Sequence, residues 1–205
     1  VINPGNPTGT VLSKQNLRDI VQFCARHNLV LLADEVYQEN VYEGEFYSCR
    51  RAAYDLGLLG EMELVSFHSV SKGVFGECGR RGGYMELTGF DPAVLDELYK
   101  LAFSTLCSTL SGQIMTALMV RGPSPADVSY ASHEAEKLAI FESLKRRSTI
   151  VSNGLNQIPG FRCQKASGSM YCFPAVDLPV NAVQQAAAKG ESPDSLYCKS
   201  LLRRT

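Results

Sequence analysis

The sequence predicts an α/β fold, in which a mostly parallel sheet is flanked by helices, on three observations. Residues 29–33 are apolar at every position, and the run stops abruptly at Asp34 and Glu35. A second buried strand is predicted over residues 64–68, which include Leu64, Val65 and Phe67. Apolar runs such as the first are typical of parallel strands that are covered on both faces. A helical pattern lies between the strand end at Val1–Ile2 and the first run, so a βαβ unit is expected at the start of the chain.

The first helix is predicted by its cap and its apolar face. Residues 3–9 form a loop rich in proline and glycine, and Ser13 then offers an N-cap. Asn28 is the expected end of the helix. The positions that should face the core follow the i, i+3, i+4, i+7 spacing and are Leu17, Ile20, Val21 and Cys24.

Three further helices are expected along the chain. Asp91 followed by Pro92 is a typical helix start, and Leu95, Leu98 and Ala102 should face inward. A helix over 111–121 should end at Gly122–Pro123, and a long one should cover 127–153. The inward-facing side chains predicted for the long helix are Leu138, Phe141, Leu144 and Val151.

The remaining patterns divide the chain into three parts. Residues 82–87 predict another strand, whereas short strands are expected around 160–163 and 170–173. We therefore expect a large domain over 1–125, an inter-domain helix over 126–155, and the start of a smaller α+β domain over 156–205. Because the first residue is Val1 and the last five lie in a predicted helix, we expect the chain to be an internal part of a longer polypeptide.

Composition excludes several classes of function. A net charge of -1 gives no electrostatic reason to expect nucleic acid or an anionic membrane as partner. No run of about 18 apolar residues is present, so no membrane span is expected. The seven cysteines are irregularly spaced, and Cys24 with His27 lacks a second ligand pair, so no metal site is expected. No GxGxxG follows a strand, which excludes a dinucleotide-binding fold.

Candidate catalytic residues follow the predicted strand ends. These ends carry an amide, a carboxylate, a phenol, hydroxyls and an amine; the residues are Asn6, Asp34, Tyr37, Ser69, Ser71 and Lys72. Ligands bind at the carboxyl ends of strands in open α/β sheets, so these groups should meet at one rim. Pyridoxal phosphate needs this set: an amine for a Schiff base, a carboxylate at the ring nitrogen, and donors for the phenolate oxygen and phosphate.

The same segments resemble a known family. Residues 3–9 (NPGNPTG), 33–37 (ADEVY) and 69–73 (SVSKG), with Arg81, are similar to the fold-type I, class I aminotransferases in order and spacing. The longer strings at 34–42 and 66–86 are similar to the alanine aminotransferase branch of that family. The resemblance implies pyridoxal 5'-phosphate as cofactor. It also implies a homodimeric parent enzyme that acts on amino acids and 2-oxo acids.

The resemblance implies a role for each matching residue. Lys72 matches the lysine that forms the Schiff base and then moves the proton at the substrate Cα. Asp34 matches the partner of the pyridine nitrogen, and Tyr37 and Asn6 match the ligands of the phenolate oxygen. Phosphate ligands are implied for Ser69, Ser71 and Arg81. Arg80 stands beside Arg81, but Arg81 is assigned because it precedes Gly82–Gly83–Tyr84, as in the family pattern.

The implied reaction is ping-pong exchange of an amino group between L-alanine and 2-oxoglutarate, in the cytoplasm or the mitochondrion. Another class I aminotransferase, aromatic or glyoxylate-linked, or a lyase of the same fold would share these motifs. The glycine-rich phosphate loop and the arginine that binds the substrate carboxylate have no match in the chain, and Arg203 and Arg204 are not assigned to the latter. We therefore expect the 205-residue chain alone to be inactive, and a non-catalytic product is the remaining hypothesis.

Overall fold

The main sheet has three strands. The computed structural model describes residues 1–205, and the strands are β1 (Leu31–Asp34), β2 (Leu64–Ser69) and β3 (Gly83–Thr88), in the order β1-β2-β3. β1 and β2 are parallel, and Ile2 adds a parallel bridge to Asp34, so the predicted βαβ unit is confirmed in its connections. β3 pairs with β2 in the antiparallel direction. The sheet is therefore mixed at this edge.

The register of β1 and β2 brings their carboxyl ends to the same edge. Leu31 pairs with Leu64 and Asp34 with Phe67, so the polar residues after each strand begin at one rim. Leu31 and Leu64 are buried, but Leu32 is 54% exposed, so the expectation that β1 is covered on both faces was wrong: only one face of this strand packs on the core. β1 begins two residues later than expected, because residues 29 and 30 are exposed and precede the paired segment.

The first helix, α1 (Lys14–Arg26), matches its prediction closely. Ser13 accepts a hydrogen bond from the Asn16 amide, and the Asn16 side chain accepts one in return from the Ser13 amide. Leu17, Val21 and Cys24 are buried, and Ile20 packs against them at the margin. A short helix that the sequence analysis did not predict, α2 (Cys49–Asp55), packs against α1. The main core lies between these two helices and the sheet.

The next two helices begin where expected but bury little. α3 (Pro92–Ser104) is capped by the Asp91 side chain, and α4 (Leu110–Val120) ends before Gly122. The expectation that Leu95, Leu98 and Ala102 face a core was wrong: Leu95 and Leu98 are only half-buried, and Ala102 is exposed. No second layer packs over α3 within these residues, so its apolar face has nothing to contact.

The long helix α5 (Tyr130–Asn156) shows the same pattern. Phe141 packs against the Tyr42 ring and Leu144 is half-buried, which agrees with the prediction. Leu138 and Val151 are exposed, contrary to it, because α5 contacts neighbours along one narrow side only. None of the helices combines the length and apolar character that a bilayer crossing requires.

The last 49 residues form a small α+β unit. A two-residue strand, β4 (Phe161–Arg162), pairs in the antiparallel direction with β5 (Ala175–Val176), and α6 (Val180–Ala188) and α7 (Pro193–Leu202) follow. The strand predicted at 170–173 was wrong: this segment has no ladder and instead lies against the loops of the main sheet. The segment preceding it is attached to those loops by a bridge between Gly168 and Val41.

Candidate active site

Three loops meet beyond the carboxyl ends of Ile2, β1 and β2. They are residues 3–9, 35–41 and 69–77, and each follows a chain segment that is parallel to its neighbour in the sheet. A fourth segment, residues 166–171, packs onto them from the small unit, where the Gly9 carbonyl accepts a hydrogen bond from the Gly168 amide. Polar side chains from distant parts of the chain are thereby collected at one rim.

The phenol of Tyr37 lies at the centre of this rim. Tyr37 is only 2% exposed, and its hydroxyl oxygen accepts a hydrogen bond from the Asn6 side-chain amide at 3.4 Å. The same hydroxyl lies 2.9 Å from the hydroxyl of Tyr171, and the two rings meet edge to face at 83°. The structure thus brings the predicted residues Asn6 and Tyr37 into contact.

Lys72 lies over Tyr37. Its Nζ atom is 5.8 Å from the centroid of the Tyr37 ring, within the range of a cation–π contact. Lys72 is half-buried and forms no ion pair with any of the 205 residues. The amine is therefore near the predicted phenol and is not engaged in an ion pair.

Asp34 is the last residue of β1. Its backbone belongs to the sheet, because its carbonyl accepts a hydrogen bond from the Asn3 amide and its amide donates to the Val1 carbonyl. Its carboxylate accepts one long hydrogen bond, 3.4 Å from the Val36 amide, and forms no salt bridge. The side chain is half-buried, so this carboxylate keeps most of its acceptor capacity for a cationic ring nitrogen.

The residues predicted to bind phosphate lie between the end of β2 and the start of β3. The Ser69 hydroxyl donates to the Gly82 carbonyl at 3.0 Å and accepts from the Ser71 amide, so its hydrogen already has a partner. The Ser71 hydroxyl has no side-chain partner. Arg81 lies in the left-handed region (φ 56°, ψ 53°), and its guanidinium donates to the Cys78 carbonyl. Ser69 and Arg81 are thus neighbours through Gly82, but their side chains do not touch.

Arg80 and Arg81 have different surroundings. Arg80 is exposed and pairs loosely with Glu77 at 3.7 Å. Arg81, together with Gly82, lines a cavity of about 590 Å³ that lies against α4, whereas Arg80 does not. Gly112 of α4 approaches this turn closely, because a Cβ atom added there would lie 2.5 Å from the Arg81 carbonyl oxygen.

Burial controls the ionisation of the groups around the rim. Burial, followed by the hydrogen bond to Tyr171 and the nearby charge of Asp34, raises the pKa of Tyr37 well above its usual range. Tyr37 therefore stays protonated and remains a donor. Behind the rim, burial raises the pKa of Glu35, and burial followed by the neighbouring Glu35 raises the pKa of the Cys49 thiol to about 12.

Three residues at the rim were missed by the sequence analysis. Tyr171 is 134 positions from Tyr37, so no local pattern could connect them. Asn40 and Glu39 bind the backbone just after Lys72 with their side chains. Their proximity in sequence to Tyr37 was a signal, but only the crossing of the two loops shows what they bind.

The donor set at the rim suits pyridoxal phosphate. An amine, a phenol with an amide beside it and an under-used carboxylate stand within one group of loops. Arg81 lines a cavity against α4, and none of the other predicted cofactor residues lines that cavity. No group of three or more histidine, cysteine or acidic side chains lies together in a way that would hold a metal ion.

Comparisons with known proteins show which sequences the chain resembles. The family model "Aminotransferase class I and II" matches residues 1–196. The chain is 52% identical over its whole length to alanine aminotransferase 1, mitochondrial, of Arabidopsis thaliana, and covers 38% of that protein. It is 46% identical to glutamate–glyoxylate aminotransferase 1 of the same plant and covers 44% of it. The chain thus spans about two fifths of the length of these relatives.

Solved structures give the same result. An alanine aminotransferase from Pyrococcus furiosus superposes with a TM-score of 0.72 at 27% identity, over 87% of this chain and 42% of that one. An aminotransferase from Escherichia coli superposes with a TM-score of 0.70 at 31% identity, over 86% of this chain and 41% of that one.

Proposed function

This chain belongs to the class I and II aminotransferases, and from that premise we propose that it is the part of a longer enzyme that binds pyridoxal 5'-phosphate through Lys72. The observation that carries the proposal is the position of the Lys72 amine over Tyr37, whose hydroxyl also contacts Asn6. In the parent enzyme the reaction would be amino-group exchange between L-alanine and 2-oxoglutarate, which yields pyruvate and L-glutamate.

The cofactor, when bound, would supply a carbonyl that exchanges amines and an electron-poor ring that stabilises negative charge at the substrate Cα. Lys72 would hold the cofactor covalently. Once a substrate amine has displaced it, the free Nζ atom would take the proton from the substrate Cα and deliver it to the cofactor, so that the amino group stays with the cofactor when the 2-oxo acid leaves. Two successive half-reactions of this kind give ping-pong kinetics.

The other residues of the rim would orient the ring. The Asp34 carboxylate would accept a hydrogen bond from the protonated ring nitrogen, because it has only one other, long hydrogen bond. Tyr37, kept protonated by burial and by Tyr171, would donate its O–H to the ring's phenolate oxygen, with the Asn6 amide beside it. This pair of donors would favour the deprotonated oxygen and so make the linked lysine easier to displace.

The phosphate would be bound between the end of β2 and the start of β3. We assign Arg81 as its cation because it precedes Gly82–Gly83–Tyr84 and adjoins Gly82, which the Ser69 hydroxyl contacts, and we assign Ser69 and Ser71 as hydroxyl ligands. Ser69 would have to turn its hydrogen from the Gly82 carbonyl to the phosphate. Arg80, which is exposed and faces Glu77, is left outside the site.

The large exposed apolar side chains support a larger assembly. Leu101, Phe103, Leu106 and Leu110 on and between α3 and α4 are each at least 66% exposed. Surfaces of this kind mark contacts with other protein. We propose that the rest of the polypeptide and a second subunit cover them. We also propose that residues 1–125 are the large domain, 126–155 the connecting helix and 156–205 the start of the small domain.

Three relatives carry the word mitochondrial in their names, so the mitochondrion or the cytosol is the proposed compartment.

A panel of half-reactions on the purified full-length enzyme tests the proposed substrates. L-alanine, an aromatic amino acid and L-glutamate serve as donors, and 2-oxoglutarate, pyruvate and glyoxylate as acceptors. We expect the highest kcat/KM for L-alanine with 2-oxoglutarate. A preference for glyoxylate would favour the activity in the name of the 46% identical relative instead. No transamination with any pair would contradict the proposal.

A further inference from the structure

Two residues of the loop that carries Tyr37 bind the backbone that follows Lys72. The Asn40 side-chain oxygen accepts a hydrogen bond from the Gly73 amide at 3.1 Å, and the Glu39 carboxylate accepts one from the Val74 amide at 3.3 Å. Asn40 is completely buried and Gly73 is buried, so water does not compete for the first bond. We call these two side chains the Glu39–Asn40 pair.

Asn40 also joins the other segments of the rim. Its amide donates to the Tyr37 carbonyl at 2.8 Å, and its carbonyl accepts from the Ser169 amide at 2.7 Å. One residue is therefore bonded to the loop that carries Tyr37, to the loop that carries Lys72 and to the segment that carries Tyr171. A shift of Asn40 would move all three relative to one another.

The space around Gly73 confirms how closely the loops approach. Gly73 has φ +70°, which favours glycine, and a Cβ atom there would collide with the Glu39 carboxylate. A side chain at residue 73 would require the end of the flexible Glu39 side chain to shift. The Glu39 carboxylate and the backbone beside Lys72 are therefore in direct contact.

We propose that the Glu39–Asn40 pair positions the Lys72 amine, and that Asn40 is its principal member. Because Asn40 is short and uncharged, it fixes the backbone without adding a charge beside the amine. The proposal rests on the proposed function, since it assigns the pair to the reaction of the cofactor-binding lysine. Both are positioning residues: neither needs to touch the cofactor, and each acts through the backbone next to Lys72.

The first test measures the loop without the cofactor. Hydrogen exchange, followed by mass spectrometry of the peptide that spans residues 70–77, is compared in the cofactor-free full-length protein and in Asn40→Ala. Loss of a buried hydrogen bond should speed exchange in this peptide by about five- to tenfold. Asn156→Ala is the matched control, because Asn156 holds the backbone of Cys163 in the same way, far along the chain from Lys72.

The second test measures the position of the amine in the loaded enzyme. The pH titration of the absorbance of the Lys72–cofactor linkage should shift to a higher pKa in Asn40→Ala, because the linkage moves away from the donors at Tyr37. In the same variant kcat should fall by about ten- to a hundredfold, with a smaller change in KM. A loss of stability alone would lower the amount of enzyme but would not move this pKa.

Variants of Glu39 test the proposal if Asn40→Ala does not fold. Glu39→Ala removes the acceptor for Val74, whereas Glu39→Gln keeps an oxygen there. Faster exchange over residues 70–77 in Glu39→Ala, with exchange restored in Glu39→Gln, would support the proposal. If Asn40→Ala exchanges at the wild-type rate over residues 70–77 and its linkage pKa is unchanged, the positioning proposal is overturned. The same result in Glu39→Ala overturns it if Asn40→Ala is insoluble. If the wild-type enzyme forms no linkage at Lys72, the proposed function itself fails.

Discussion

Removal of the Tyr171 hydroxyl takes away one hydrogen bond at the centre of the rim. In Tyr171→Phe the edge-to-face ring contact with Tyr37, at 5.7 Å, is retained, and only the hydrogen bond of 2.9 Å is lost. A neutral hydrogen bond contributes about 1 kcal/mol net. The Tyr37 hydroxyl keeps its longer contact with Asn6, so the larger cost of a buried group without any partner does not apply. We therefore expect the free energy of unfolding to fall by about 1 kcal/mol.

A double-mutant cycle isolates this bond. Urea unfolding of the full-length protein is measured for Tyr37→Phe, Tyr171→Phe and the pair, with Tyr99→Phe, an exposed tyrosine of α3, as the control. The coupling free energy should be about 1 kcal/mol, and the control should change stability by less than about 0.5 kcal/mol. Additive effects, with a coupling below about 0.3 kcal/mol, would refute the bond.

The same variant tests the ionisation of Tyr37. Burial remains in Tyr171→Phe, but the hydrogen bond that favours the protonated phenol is gone. The pKa of Tyr37 should therefore fall relative to that of the wild type while staying raised. Ultraviolet titration of the phenolate, with Tyr37→Phe to assign the signal, measures this shift. An unchanged pKa would mean that the two hydroxyls are not bonded in solution.

Two further predictions concern the surroundings of the rim. Gly112→Ala should lower the free energy of unfolding by about 1–3 kcal/mol and weaken pyridoxal phosphate binding, because the added Cβ meets the Arg81 carbonyl. The control Gly154→Ala, on the open side of α5, should raise it by about 0.5–1 kcal/mol. Equal stabilities of the two variants in urea would contradict this. The wild-type fold favours the protonated Glu35 carboxyl, so the wild type loses this contribution to stability as pH rises from 4.5 through the raised pKa of Glu35. Urea unfolding should therefore show Glu35→Gln gaining stability relative to the wild type over this pH range. A stability difference that is independent of pH would contradict the prediction.

The parts of the fold that were predictable are those that depend on local patterns. The cap at Ser13, the face of α1 and the strands at 31–34 and 64–69 follow from spacing and apolar runs. The inward faces expected for α3 and α5 were wrong at Ala102, Leu138 and Val151. A helix pattern states which face is apolar but not whether a partner is present to cover it, and these 205 residues provide none.

The candidate site divides in the same way. Lys72, Tyr37 and Asn6 were predictable because each follows the carboxyl end of a parallel segment, and such ends meet at one rim. Tyr171 could not be found, because its contact with Tyr37 depends on how the small unit folds back over the main sheet. The Glu39–Asn40 pair required the geometry of two crossing loops, which residue spacing does not contain.

The central claim is that Lys72 is the lysine that binds the cofactor. Borohydride reduction of the full-length protein with pyridoxal phosphate, followed by peptide mass spectrometry, tests it most directly. We expect a reduced pyridoxyl group on Lys72, and no comparable label in Lys72→Ala. Absence of a label, or a label on another lysine, would contradict the assignment and would leave the non-catalytic hypothesis as the better description.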